Sequence, residues 1–256
     1  KDSDTDIVAA GTGTFASRSI TLGGTAISIA AEKLIEKGKK IVAHLMDADE
    51  KEISFDDGIF SIEGTNKSMA IGDVAKMSFM PGKMPPGLEP GFYQTGTSPT
   101  GLPNYPNGCH VCEVEIDEET GVVDIVKYSV VDDVGTVINP LLLKGQIHGG
   151  IVQGAGQALM EDFSMDAESG QVIAGSFMDY CMPRAADFCS FNVGNNEVPT
   201  QTNPLGVKGA GEAGTVGALS AVMSAVNSAL EPLGADFIDM PATPNKVWGA
   251  IRNAKA

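Results

Sequence analysis

The chain has 256 residues, room for one large domain or two small ones, and Lys+Arg 17 against Asp+Glu 33 leaves a net charge of -16. That balance argues against a role built on neutralising nucleic-acid phosphates, and against a polybasic membrane-surface module. A hydrophobic content of 43% with 20% charged residues describes a folded chain, and the unusual component is glycine: 31 residues, where about 7% is typical.

The chain opens Lys-Asp-Ser-Asp-Thr-Asp. With no apolar leader there, a cytoplasmic protein is expected, and the missing initiator Met suggests a piece of something longer. Residues 19–37 read as a helix stopped by Gly38, with a second helix over 41–46. Apolar residues alternating around Asp56-Asp57-Gly58 predict a hairpin over 53–62. Residues 71–77 read as a short helix, and the proline-rich stretch 80–108 as a long loop. Strands follow over 109–116 and 122–134, then a glycine-broken helix over 139–160 and a strand over 174–180. Residues 192–211 read as irregular. The segment 215–230 is too rich in small and hydroxylic residues for a membrane span and reads as a packed helix. A last helix covers 245–253. Without regular βαβ alternation the expected class is α+β, in two subdomains, 1–105 and 106–256, the second carrying the glutamine and glutamate loops described next.

Three glycine-bearing segments hold the candidate chemistry. Gly11-Thr12-Gly13-Thr14-Phe15-Ala16-Ser17-Arg18-Ser19 leads into a helix. Its hydroxyls and arginine suit an anion at a helix N-terminus, although Ser17 or Ser19 could equally cap that helix. In 145–157, Gly149, Gly150, Gly154 and Gly156 in an apolar helix cost roughly 1 kcal/mol each relative to Ala, so close packing or a ligand must compensate. Gln146, Gln153 and Gln157 supply amides there, and His148 has the plain reading of a packed histidine. In 203–215, Gly209, Gly211 and Gly214 fit a dinucleotide fingerprint, but no buried strand precedes them. The alternative is that these glycines clear a tight, apolar turn around Glu212, a carboxylate placed to act as a general base. Cys109 and Cys112 form a CxxC that lies on a strand, facing opposite ways. They read as small hydrophobes rather than a metal or redox pair, and no metal-ligand set is expected.

Together, Gly-Thr-Gly-Thr-Phe-Ala-Ser-Arg-Ser at 11–19, Gly-Gly-Ile-Val-Gln-Gly-Ala-Gly-Gln-Ala-Leu at 149–159 and Gly-Val-Lys-Gly-Ala-Gly-Glu-Ala-Gly at 206–214 resemble the molybdenum-binding subunit of the xanthine dehydrogenase / aldehyde oxidase family. Among its members the large chains of the aerobic carbon monoxide dehydrogenase type are most similar. The resemblance runs along essentially the whole chain, in the family's order.

That resemblance implies a molybdenum-dependent oxidoreductase that hydroxylates a carbon centre (carbon monoxide, an aldehyde or an N-heteroaromatic) with oxygen from water. The cofactor implied is molybdopterin with molybdenum, often as the cytosine dinucleotide. Glu212 matches the family's catalytic glutamate, Gln153 with Gly154 its pterin-contacting glutamine segment, and Ala16, Ser17, Arg18, Ser19 and Gly211 its cofactor-holding loops. The protein itself would not ligate the metal. The upstream substrate-facing half of the family chain is missing, as are iron–sulfur and flavin patterns. The resemblance therefore implies partners: the N-terminal half of the molybdenum subunit, a FAD subunit, an iron–sulfur subunit and a small-molecule substrate. The alternative is a non-catalytic interaction or scaffold domain of the same complex.

Overall fold

The computed structural model describes residues 4–8, 11, 13–99 and 103–255. The chain divides into two units, Leu22–Gly101 and a larger one made of Lys1–Thr21 with Leu102–Ala256. The expected division at residue 105 assigned the N-terminal loop to the smaller part. It belongs instead to the larger one, because Ser17 is hydrogen-bonded to Glu212.

A π-helical turn, Ile20–Gly24, leads into the smaller unit and runs into its helix α1, Thr25–Met46. Gly38 does not stop this helix: a Cβ there would run into the Phe60 ring, so the glycine lets the hairpin press against the helix. The helix ends instead at Asp47, whose left-handed backbone (φ 51) lets its N–H reach the Ala43 carbonyl. Strands β1, Ile53–Asp56, and β2, Ile59–Ile62, form the expected hairpin. Its turn has positive φ at Asp57 and Gly58 (43 and 77), the geometry that suits the twist of paired strands. A third strand, β3 Ser68–Ala70, and helix α2, Ile71–Met77, complete the unit. Ile41, Val42, Phe60 and Val74 are its fully buried centre.

In the larger unit β4, Asn107–Ile116, pairs antiparallel with β5, Val123–Asp133. Strand β6, Phe191–Asn195, adds parallel to β5. Helix α3, Pro140–Leu159, lies between β5 and β6 in sequence. Its glycines do not break it, and Asn139 caps it by accepting from the Leu142 N–H at 3.1 Å. The stretch 174–180 is turns rather than a strand, while β6 arises inside the segment read as irregular. Helix α4, Ala213–Leu230, is long and apolar enough by composition to cross a membrane. Here Ala218, Val222, Val226 and Leu230, one helical turn apart, are fully buried with Ile147, Ile151 and Tyr128 in the core. Helix α5, Pro244–Ala254, closes the unit through Val247 and Ile251. The class is α+β, as expected.

Helices α3 and α4 meet backbone to backbone. A Cβ on Gly154 would sit 2.7 Å from the Thr215 carbonyl oxygen, and one on Gly214 2.5 Å from that of Ile147. This close approach fixes where the N-terminal end of α4, and hence Glu212, stands.

Candidate active site

Glu212 is the residue before the first turn of α4, where the helix macrodipole favours a negative charge. Ser17 meets it twice. The Ser17 Oγ–H donates to Glu212 Oε2 at 3.0 Å, and Ser17 Oγ in turn accepts from the Glu212 backbone N–H at 3.0 Å. Ser17 therefore ties down the residue before α4 from 195 residues away, without capping α4, and does not cap the helix that follows it. Neither does Ser19, whose hydroxyl pairs with Thr14 at 2.8 Å.

Holding Ser17 there requires an unusual backbone. Ala16 and Ser17 both have left-handed φ (51 and 53), a conformation that costs about 1–2 kcal/mol per non-glycine residue. The two hydrogen bonds to Glu212 offset part of that cost. Gly209 and Gly211 make the approach possible: a Cβ on Gly209 would collide with the Ser17 backbone, and one on Gly211 would lie 3.3 Å from Ser17 Oγ. The turn around Glu212 is thus glycine-walled, as expected, but it is not apolar. Glu212 is exposed and its immediate partners are a hydroxyl and an amide.

Two cavities flank Ser17. The first, about 430 Å³, is lined by Thr14, Ser17, Ser19, Asn139, Gln146, Lys208 and Gly211 among apolar neighbours, with no carboxylate among the described residues of its wall. Lys208 is fixed there by an ion pair with Asp133 at 2.5 Å. Burial raises the Asp133 pKa, but the Lys208 ammonium and the Gly135 and Val198 N–H groups outweigh it and hold that carboxyl below the usual range. The second cavity, about 350 Å³, is lined by Ala16, Ser17, His110, Asp132, Gly209 and Glu212, with Gly108, Gly217 and the 104–107 loop completing its wall.

The structure brings Ala16, Ser17, Ser19, Gly211 and Glu212 into one region of these two cavities. Arg18 lies in the same loop and folds back, its guanidinium 3.6 Å from the Phe15 ring centroid and donating to the Gly13 carbonyl at 3.3 Å. Gln153 is linked to the start of α4: its Oε1 accepts from Thr215 Oγ1 at 3.1 Å. Gly154 is placed differently from the expectation. It is buried in the α3–α4 contact, where an added Cβ would meet Thr215 and Ala218. His148 packs edge-on against Phe191, the plain reading. Cys112 is half-buried, and burial, with smaller contributions from Cys189 and Glu113, pushes its thiol up to about 12. Among the described residues no His/Cys/Asp/Glu group is arranged to hold a metal.

The sequence reading did not find His110, Asp132 or Lys208. Their signals were two adjacent acids ending a strand, a histidine whose partner lies across that strand pair, and a lysine inside the third glycine motif. None of these stands out without the pairing of β4 with β5.

The Molybdopterin cofactor-binding domain family matches residues 1–189, and the chain belongs to it. Over 94% of its length it is 38% identical to the nicotine 6-hydroxylase large subunit of Paenarthrobacter nicotinovorans, covering 30% of that protein. It is 32% identical to the carbon monoxide dehydrogenase large chain of Hydrogenophaga pseudoflava, over 98% of this chain and 31% of that one. The crystal structure of a Cu,Mo-CO dehydrogenase in its carbon monoxide reduced state superposes with a TM-score of 0.90 at 32% identity. That superposition covers 98% of this chain and 31% of that one. The chain thus spans about a third of the length of the relatives it matches, molybdenum-dependent oxidoreductases, and resembles one continuous part of them.

Proposed function

We propose that the chain is the C-terminal molybdopterin-binding part of a cytoplasmic molybdenum hydroxylase, with Glu212 as the general base of the reaction. The observation that carries this reading is the Ser17–Glu212 pair standing between two cavities. The first cavity fits the pterin. Its hydroxyls, amides and lysine can bond the heterocycle's nitrogens and oxygens and tolerate a phosphate, and no acid among the described residues of its wall would repel one. Thr14, Ser17, Ser19, Asn139, Gln146 and Lys208 would hold it, with Gln153 stiffening the start of α4 behind them. Bound there, the molybdenum dithiolene supplies two-electron oxidation with oxygen drawn from water. A cytosine dinucleotide extension of the pterin is part of this reading.

The chain's own contribution is proton transfer and placement. Glu212 takes a proton on its carboxylate, and the Ser17 hydroxyl fixes which way that carboxylate faces. The left-handed pair Ala16 and Ser17 keeps the hydroxyl in place without reorganisation during the reaction. The substrate class we favour is a small N-heteroaromatic, carbon monoxide or an aldehyde. Nicotine and carbon monoxide appear in the names of the relatives, and the remaining two thirds of such a protein would set the choice. A FAD chain and an iron–sulfur chain would carry electrons away.

The test is Glu212→Gln in the complete enzyme. Molybdenum content should stay near wild type while reduction by substrate falls about 10²–10⁴-fold, the usual worth of a general base. Asp179, an exposed acid bonded to Ser176, serves as the control, and its Asn variant should keep the wild-type rate. Retention of most of the rate by Glu212→Gln with full molybdenum content would favour the non-catalytic interaction domain instead.

A further inference from the structure

Helix α3 is followed by a long segment, 161–184, that takes no part in the proton transfer described above. One glycine seats both of its ends. A Cβ on Gly156 of α3 would collide with the Pro183 ring and the Glu161 carboxylate, and Glu161 in turn accepts from the Tyr180 hydroxyl at 2.5 Å. Between these ends the segment is ordered by its own backbone. Met165 bridges Val172, the Ile173 N–H donates to the Ser164 carbonyl at 3.0 Å, and the Tyr180 N–H to that of Ser176 at 2.8 Å. Loops of this length in a compact unit are usually functional.

The loop turns its apolar side chains outward. Phe163, Met165, Ile173, Phe177, Met178 and Met182 all stand in solvent, Phe177 at 81% and Met178 at 93% exposure. A single exposed apolar residue is ordinary, but such a set on one ordered loop marks an interaction surface, and Phe and Met are among the residues enriched there. Its charge has one sign: Asp162, Asp166 and Glu168 are exposed beside them, while Asp179 is engaged within the loop by Ser176. The chain also carries more surface than its mass requires. Two separate compact bodies of the sizes of its units would expose about 13,000 Å², against 15824 Å² here. The excess, about 3,000 Å², is on the scale of an obligate interface.

We propose that the 161–184 loop is the surface on which the rest of the molybdenum subunit docks, through an apolar face rimmed by lysine or arginine. This rests on the chain being part of such a subunit, and not on the role of Glu212. Two observations select that occupant. The chain spans about a third of the length of its relatives, so in a protein of that build about two thirds of the polypeptide lies outside this fold and must be seated on it. A second copy of the chain fits worse. It would set Asp162, Asp166 and Glu168 against the same three acids, in a chain whose net charge is already -16, and like charges juxtaposed at an interface oppose pairing. The loop stands on α3, the helix whose contact with α4 places Glu212, so whatever docks there is held in register with the head of α4.

The test uses the complete enzyme carrying Met178→benzoylphenylalanine, a photo-crosslinking side chain at a position where this fold has nothing to disturb. Irradiation followed by peptide mapping should join residue 178 to a peptide of the same subunit that lies outside these 256 residues. A cross-link to a FAD or iron–sulfur chain, to a second copy of this loop, or to nothing at all would overturn the proposal. A second measurement leaves the sequence untouched. Cys181 is exposed between Tyr180 and Met182, so N-ethylmaleimide reports what covers it. In the native complete enzyme it should react about tenfold or more slowly than in the same enzyme unfolded in urea, since thiol reactivity follows access. Equal rates would mean that the loop stays open to solvent and would equally overturn the proposal. The two readings fail separately. Glu212→Gln keeping its rate would remove the base and leave this surface in place, whereas a cross-link to the wrong partner would remove the surface and leave Glu212.

Discussion

Two glycine-rich stretches of this molecule look alike in sequence and do opposite work. In α3 and at the head of α4, Gly150, Gly154 and Gly214 bring two helix backbones together, with a Cβ on any of them 2.5–3.0 Å from backbone atoms of the partner helix. In the loop just before α4, Gly209 and Gly211 admit a distant side chain, the Ser17 hydroxyl, to the Glu212 carboxylate. The first set builds a rigid seam, and the second leaves space beside a cavity. Glycine content alone therefore marks close approach, and only the identity of the approaching group tells scaffold from site.

The sharpest way to break this comparison is to fill the seam. Gly214→Val should cost about 3 kcal/mol or more and Gly154→Ala about 1–3 kcal/mol, the scale of core overpacking. At about 2–4 °C per kcal/mol for a chain of this size, both are visible by thermal melting, and little change would mean the helices can slide apart. Next in size is the Lys208–Asp133 pair that floors the first cavity. The Asp133 pKa is lowered on folding, so its contribution is whole above the ordinary carboxylate range and is lost as pH falls through the lowered value. A charged hydrogen bond of this kind is worth about 1.5–3 kcal/mol. Melts between neutral and strongly acid pH should therefore show a loss that Lys208→Met largely removes.

A smaller effect is expected from Ser17→Ala, which deletes both hydrogen bonds to Glu212 at about 1 kcal/mol, the net worth of an exposed hydrogen bond. In the complete enzyme it should also slow substrate reduction while molybdenum stays bound, since Glu212 loses its orientation. The smallest change is a gain. Gly145 and Gly149 lie on the exposed side of α3 with nothing within 4 Å of an added Cβ, so either Gly→Ala should stabilise by up to about 1 kcal/mol. A loss there would mean that these glycines, too, serve close approach.

Much of the fold was legible because it rests on local signals. The Asp-Gly hairpin, the strand pair around 117–121 and the helices at 71, 140, 213 and 244 follow from turn chemistry and periodicity. Strand β6 was missed because a short parallel edge has no turn to announce it. The Gly38 misreading arose because the reason for that glycine, the Phe60 ring, lies 22 residues away. At the site, the Ser17 and Glu212 segments were visible as glycine motifs. His110 and Asp132 were not, since what joins them is the register that sets His110 opposite Val130, two residues from Asp132 on the neighbouring strand.

The hydrogen bonds between Ser17 and Glu212 span 195 residues. During synthesis the N-terminal loop leaves the ribosome long before its partner exists. At about 5–20 residues per second, it waits roughly 10–40 seconds, with all of Leu22–Gly101 and most of the larger unit emerging in between. Ser17 is thus made well before Glu212 and is among the last of these residues to reach its native contacts, and the Glu212 carboxylate gains its orientation only when the two ends of that delay meet.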